Sequence, residues 1–146
     1  MRILFVDAGN YCRSPAAEAV ARALAARAGR AAEFVFSSAG LKDKHVGDTA
    51  DPRTIEACRV RGYDLGGFRC REITPADYSE SALILAMDRD NLADLELRRP
   101  PRNGTPIRLF LDDMDVPDPY YGGEEGFAMM MDLIELGAER LIGHAP

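Results

Sequence analysis

Long apolar runs are missing from this 146-residue chain, and none approaches the roughly 20 residues that a membrane-crossing helix needs. Cysteine is scarce: Cys12, Cys58 and Cys70 form an odd, widely spaced set. That pattern argues against a disulfide framework or a zinc site and in favour of reduced thiols. A basic stripe is lacking too. With 18 Lys and Arg against 24 Asp and Glu the formal net charge is −6, so nucleic acid is not an expected partner. No internal repeat and no Pro/Gly-rich linker divides the chain, and residues 1–146 read as a single domain. Met1-Arg2-Ile3 leads straight into a strand, so the expected setting is the cytoplasm, with no membrane partner.

What is present is a globular composition, 47% hydrophobic with 29% charge, enough for a proper core. Four short apolar runs read as strands: Ile3–Val6, Phe34–Phe36, Leu83–Ala86 and Ile107–Phe110. Between them lie helical patterns. The first runs from Pro15 to about Ala28, with Ala19, Val20, Ala23 and Leu24 on one face. Asp51-Pro52 opens a second, which Gly62 ends. Asp88 is placed to cap a third through Leu95. A long closing helix from Glu124 to about Ile142 carries Phe127, Met130, Met131, Ile134, Leu141 and Ile142 as core positions. Strands alternating with helices argue for an α/β fold, a parallel sheet covered on both faces. Ligands of such sheets bind beyond the carboxyl ends of the strands.

The first such end is the informative one. Val6-Asp7-Ala8-Gly9-Asn10-Tyr11-Cys12-Arg13-Ser14-Pro15 is a strand, a short loop and a helix start. Ser14 reads as the N-cap and Pro15 as the first helical residue. The join aims loop N–H groups and the positive helix end at one point, where an anion would sit. Arg13 adds a planar fork of donors suited to phosphate oxygens. The cradle has no obvious nucleophile, because the residue ending the strand is Asp7.

This loop resembles the phosphate-binding loop of the low-molecular-weight protein tyrosine phosphatases, commonly Cys-x-Gly-Asn-x-Cys-Arg-Ser. It matches at Gly9, Asn10, Cys12, Arg13 and Ser14 and departs at Asp7, where the family has its nucleophilic cysteine. Ser38-Ala39-Gly40, Asp51-Pro52-Arg53, Arg71-Glu72-Ile73-Thr74, Met87-Asp88 with Asn91-Leu92, and Asp118-Pro119-Tyr120-Tyr121-Gly122 resemble further family segments in family order. The resemblance implies a three-layer, doubly wound sandwich around a four-stranded parallel sheet. It also implies phosphomonoester hydrolysis through a phospho-enzyme, without metal or other cofactor. The substrates would be phosphotyrosine-containing proteins or aryl phosphates, with inorganic phosphate or another oxyanion in the loop.

By the same resemblance Ala8, Gly9, Asn10, Tyr11, Cys12, Arg13 and Ser14 bind phosphate. Asp7 holds the nucleophile position, Arg13 is catalytic, and Asp118 is the general acid. Lys44, Tyr120 and Tyr121 would wall the pocket. For the loop with Lys42, Lys44 and His45, a cationic rim and a solvated loop both fit. Cys12 matches a family cysteine able to pair with the nucleophile, a pairing Asp7 prevents.

Asp7 keeps the negative charge of a thiolate but attacks phosphorus poorly, and aspartyl phosphatases that do so offset the charge with bound Mg²⁺. Little or no turnover is therefore expected. An altered version of an active enzyme and a natural pseudophosphatase that binds without cleaving are both consistent with this. An arsenate reductase would need reactive cysteines beyond Cys70, and none follows.

Overall fold

The computed structural model describes residues 1–144. Four strands form one parallel sheet: β1 (Arg2–Asp7), β2 (Val35–Gly40), β3 (Leu83–Ala86) and β4 (Ile107–Leu109), in the order β2-β1-β3-β4. β1 is central and pairs with both β2 and β3. Five helices complete the three-layer sandwich: α1 (Arg13–Arg27), α2 (Pro52–Val60), α3 (Pro75–Glu80), α4 (Arg89–Arg98) and α5 (Glu124–His144). Among the described residues no helix is long and apolar enough to cross a membrane.

Strand alternation divides the core into two. Ile3, Phe5, Leu85 and Met87 face α1, α2 and α5, where Phe127, Met130, Met131 and Ile134 pack. Leu4, Val6, Ile84 and Ala86 face Tyr78 of α3 and Leu95 of α4. Both faces of β1 are therefore buried, which is why its sequence is a continuous apolar run instead of an alternating one. α1 packs against the sheet, α2 and α5, so it buries small residues on more than one side: Ala16, Ala17, Ala19, Val20, Ala21 and Ala25. Its seam is broader than the expected face, and Ala23 and Leu24 sit at its partly covered edge.

Two of the differences from the sequence reading concern β2 and the segment before β3. β2 runs to Gly40, four residues past Phe36, because Ser37 to Gly40 continue the parallel ladder opposite Leu4 to Asp7. α3 was not anticipated. It is short and buries only Tyr78, but Thr74 and Asp77 form a reciprocal capping box at its start.

The chain crosses to the other side of β1 between β2 and β3, so the carboxyl ends of β1 and β3 border the switch in strand order. Gly40 shapes this end of the sheet. A Cβ there would lie 2.7 Å from both the Asn10 nitrogen and the Gly9 carbonyl carbon. Gly40→Ala is expected to cost about 2 kcal/mol, as overpacking of a tight site does, read as a lowered urea midpoint.

Candidate active site

The loop between β1 and α1 is held in shape from three sides. Asn10 adopts a left-handed backbone (φ 56°), which turns the chain beneath the sheet end. Its Nδ2 donates to Ser14 Oγ (2.9 Å) and to Ser38 Oγ (3.0 Å). Its Oδ1 accepts the Arg71 N–H at 2.9 Å. One buried side chain thereby ties the loop to α1, to β2 and to the segment before α3.

Asp7 lies at the floor of this loop, only 2% exposed. Its Oδ1 accepts the Asn10 N–H at 2.6 Å and its Oδ2 accepts the Ser14 N–H at 2.8 Å. This corrects the reading of the α1 start. Helix geometry begins at Arg13, with Cys12 as the cap residue and no side-chain bond from it. Ser14 is the second helical residue, and the carboxylate of Asp7, seven residues upstream, satisfies its orphan N–H. A remote side chain does what an adjacent N-cap usually does.

Burial pushes the Asp7 carboxyl above the usual range, although Arg13, the amides of Ser14 and Asn10 and the Ser14 hydroxyl pull the other way. The folded state therefore holds the Asp7 proton more firmly than the unfolded chain does. Between the ordinary carboxylate range and the raised value, the native protein binds more protons. The contribution of Asp7 to stability is thus fully present at low pH and is lost as pH rises. The melting temperature of Asp7→Ser relative to the unaltered chain should accordingly shift in favour of the variant from pH 5 to pH 8. Thermal unfolding at the two pH values measures that difference of differences, in which the pH-independent cost of the substitution cancels.

Arg13 is buried beside the loop. Its Nη1 donates to Asp88 Oδ2 (2.7 Å) and to the Val116 carbonyl (2.9 Å), and its Nη2 lies 3.7 Å from Asp118 Oδ2. Burial alone would loosen its proton, but Asp7, Asp88 and Asp118 hold it more tightly than usual. Asp118 is about half exposed, and its Oδ1 accepts the Tyr120 N–H at 3.0 Å. It is at once a turn-forming residue and a carboxyl aimed into the pocket.

The open cavity, about 220 Å³, has Asp7, Ala8, Gly9, Cys12 and Arg13 at its base and Asp118 on one side. Tyr11 and His45 stack face to face, 3.7 Å between centroids and 1° between planes. Tyr120 is tilted against both rings, and the Lys44 Nζ stands 5.4 Å from its centroid. Lys42 and Lys44, the chain's only lysines, both line this cavity.

The three cysteines are free and buried. The Cys12 thiol faces Asp51 Oδ2 at 3.7 Å, and burial together with that carboxylate drives its ionisation far above the ordinary thiol range. Burial pushes Cys58 up to about 12 and Cys70 up to about 11.

Comparison with known proteins now decides the family. Residues 2–145 match the family model described as low molecular weight phosphotyrosine protein phosphatase. The chain belongs to that family. It is 43% identical over 142 residues to a putative low molecular weight protein-tyrosine-phosphatase of Synechocystis sp., covering 92% of this chain and 90% of the relative. A protein tyrosine phosphatase of Entamoeba histolytica, solved with Hepes in the active site, superposes with a TM-score of 0.92 at 37% identity, covering 97% of this chain and 94% of that one. Wzb of Vibrio vulnificus, in complex with benzylphosphonate, gives 0.87 at 29% identity, covering 99% and 98%.

Within this phosphatase scaffold, Asp7 to Ser14, Asp118, Lys44, Tyr120 and Tyr121 come together at one end of the sheet, although Asp118 is more than a hundred residues from Asp7. Two placements differ from the sequence reading. Tyr121 touches the cavity edge but is 93% exposed, with its ring edge-on to Tyr120 at 4.8 Å, so it forms an outer rim and not a wall. The inner wall includes the rings of Tyr11, expected only as a phosphate-binding residue of the loop, and of His45. Nothing in the sequence pairs residues 34 positions apart; the signal available was an aromatic within the loop and a second ring in a segment free to fold over it. Asp88 was read as a helix cap, and it does accept the Asn91 N–H at 2.7 Å. Its other oxygen binds Arg13, so one carboxylate fixes both the start of α4 and the guanidinium.

Proposed function

We propose that this chain is a protein tyrosine phosphatase by scaffold whose turnover is impaired, because Asp7 stands where the family's cysteine attacks phosphorus. The observation that carries this reading is the buried Asp7 carboxylate at the loop floor, already bonded to the amides of Asn10 and Ser14. With a cysteine at position 7, loop amides and the fork of Arg13 would hold the equatorial oxygens of a phosphotyrosine or aryl phosphate. Asp118 would protonate the leaving phenolate. Tyr11, His45 and Tyr120 would flank the aromatic ring. No metal or other cofactor enters this scheme. The complex of the Vibrio vulnificus relative with benzylphosphonate supports an aryl oxyanion as the ligand class.

Cys12 does not replace the missing nucleophile. Its thiol faces Asp51 and keeps its proton, whereas attack needs the thiolate. A carboxylate at the floor also repels the phosphate charge, which Arg13 would have to offset while shared with Asp88 and Asp118. Binding without cleavage is the reading left if the loop seats phosphate but chemistry cannot be restored. The test is steady-state hydrolysis of an aryl phosphate, with chelator present, by this chain beside Asp7→Cys. Turnover confined to the cysteine form supports the proposal; silence of both folded proteins overturns it and leaves a binding site at most.

A further inference from the structure

We infer that Asp7 makes the loop select oxyanions by their ability to share a proton, so that phosphate and phosphomonoesters are admitted and sulfate is refused. This rests on the loop being the anion site proposed above. Each oxygen of the Asp7 carboxylate takes one loop N–H and the Ser14 hydroxyl bonds the group as well, which leaves one of its roughly four lone-pair sites for a ligand, and the group lines the floor of the cavity. A tetrahedral oxyanion seated among the loop amides brings one of its oxygens against that floor. Without a proton the contact sets two anionic oxygens against each other at a carboxylate that is itself 2% exposed. With one proton between them it becomes a short, charge-assisted O–H···O⁻ hydrogen bond.

Phosphate carries such a proton near neutral pH, and a phosphomonoester regains one around its second pKa of about 6. Sulfate carries none, so its binding must take a proton from solvent onto Asp7. The other groups around the floor do not make this distinction. Arg13 from α1 is shared with Asp88 after β3 and Asp118 before α5, and it attracts both anions. Lys42 and Lys44, from the segment after β2, line the cavity beside the His45 ring and attract both. Cys12 and Cys70 stay protonated thiols, and Asp51 is engaged by Arg53 at 2.7 Å. The proton requirement belongs to Asp7 alone.

The experiment is titration calorimetry of the full chain with potassium phosphate and with potassium sulfate at pH 7.5, in two buffers of different ionisation enthalpy. Phosphate is expected to bind at least about tenfold more tightly than sulfate. Sulfate binding should take up one proton and strengthen by about tenfold per unit fall in pH while free Asp7 is ionised. Asp7→Ser should bind the two anions within about threefold of each other and lose the proton uptake. Equal affinities without proton uptake, a preference that survives in Asp7→Ser, or binding of neither anion by the unaltered chain would each overturn the inference. The proton count on the unaltered chain decides the matter even if Asp7→Ser fails to fold. Failure of the phosphatase reading shows separately, as a silent Asp7→Cys protein.

Discussion

Hydrolysis of an aryl phosphate is expected to rise about a thousandfold or more when Asp7 is replaced by Cys. Removing a nucleophile from a covalent catalyst can cost around 10⁶ in turnover, while preorganised donors and binding alone leave roughly 10³–10⁴ over the uncatalysed rate. Those donors are retained here: the loop amides, Arg13 and the positive end of α1 converge on the floor where the cysteine would stand. A thiol there would face the amides of Asn10 and Ser14 that now hold a carboxylate, and a helix N-terminus of this kind favours the thiolate. In that background Asp118→Asn should lower kcat by a further factor of about 10²–10⁴, the usual contribution of a positioned acid. The acid limb of the pH profile would then stay while the basic limb flattens. An unchanged kcat would remove Asp118 from the proton transfer and leave it as the residue that turns the chain before Tyr120.

The four strands and four of the helices were legible because each is announced locally. β1 and β3 are unbroken apolar runs, and α2 and α4 carry Asp51 and Asp88 as caps within their own first turns. α3 was overlooked because an apolar stripe cannot be read from one buried residue, Tyr78, in a six-residue helix. The misplaced start of α1 has the opposite cause. Its cap comes from Asp7, on the strand before the loop, and local cap rules search only the adjacent residues. The chemistry of the site was legible as motifs, but its electrostatics were not. Arg13 meets Val116 and Asp118 across more than a hundred residues, and the parallel sheet, by gathering the ends of β1, β3 and β4, brings them within reach. The stack of Tyr11 on His45 depends likewise on how the segment after β2 folds back over the loop.

Arg13→Ala should destabilise the fold by about 3–5 kcal/mol near neutral pH, the range for removing one partner of a buried ion pair. For a chain of this size that lowers the melting temperature by roughly 10–15 °C. The cost arises less from the lost contacts than from what they leave behind. Asp88 would lose a 2.7 Å partner, the Val116 carbonyl a 2.9 Å donor, and Asp7 the nearest positive charge in a buried site. Asp7 has a way out that limits the damage, since it can take up a proton. Without Arg13 its carboxyl rises further, so the penalty of Arg13→Ala should be smaller at pH 5 than at pH 8. The same reasoning makes the two sites non-additive. In an Asp7→Ser background no buried carboxylate depends on Arg13 from the loop floor, and Arg13→Ala should cost measurably less there than in the unaltered chain. Urea unfolding of the two single variants and the double variant gives that coupling. Strict additivity would mean that Asp88 and Val116, and not the loop floor, account for the whole role of Arg13 in stability.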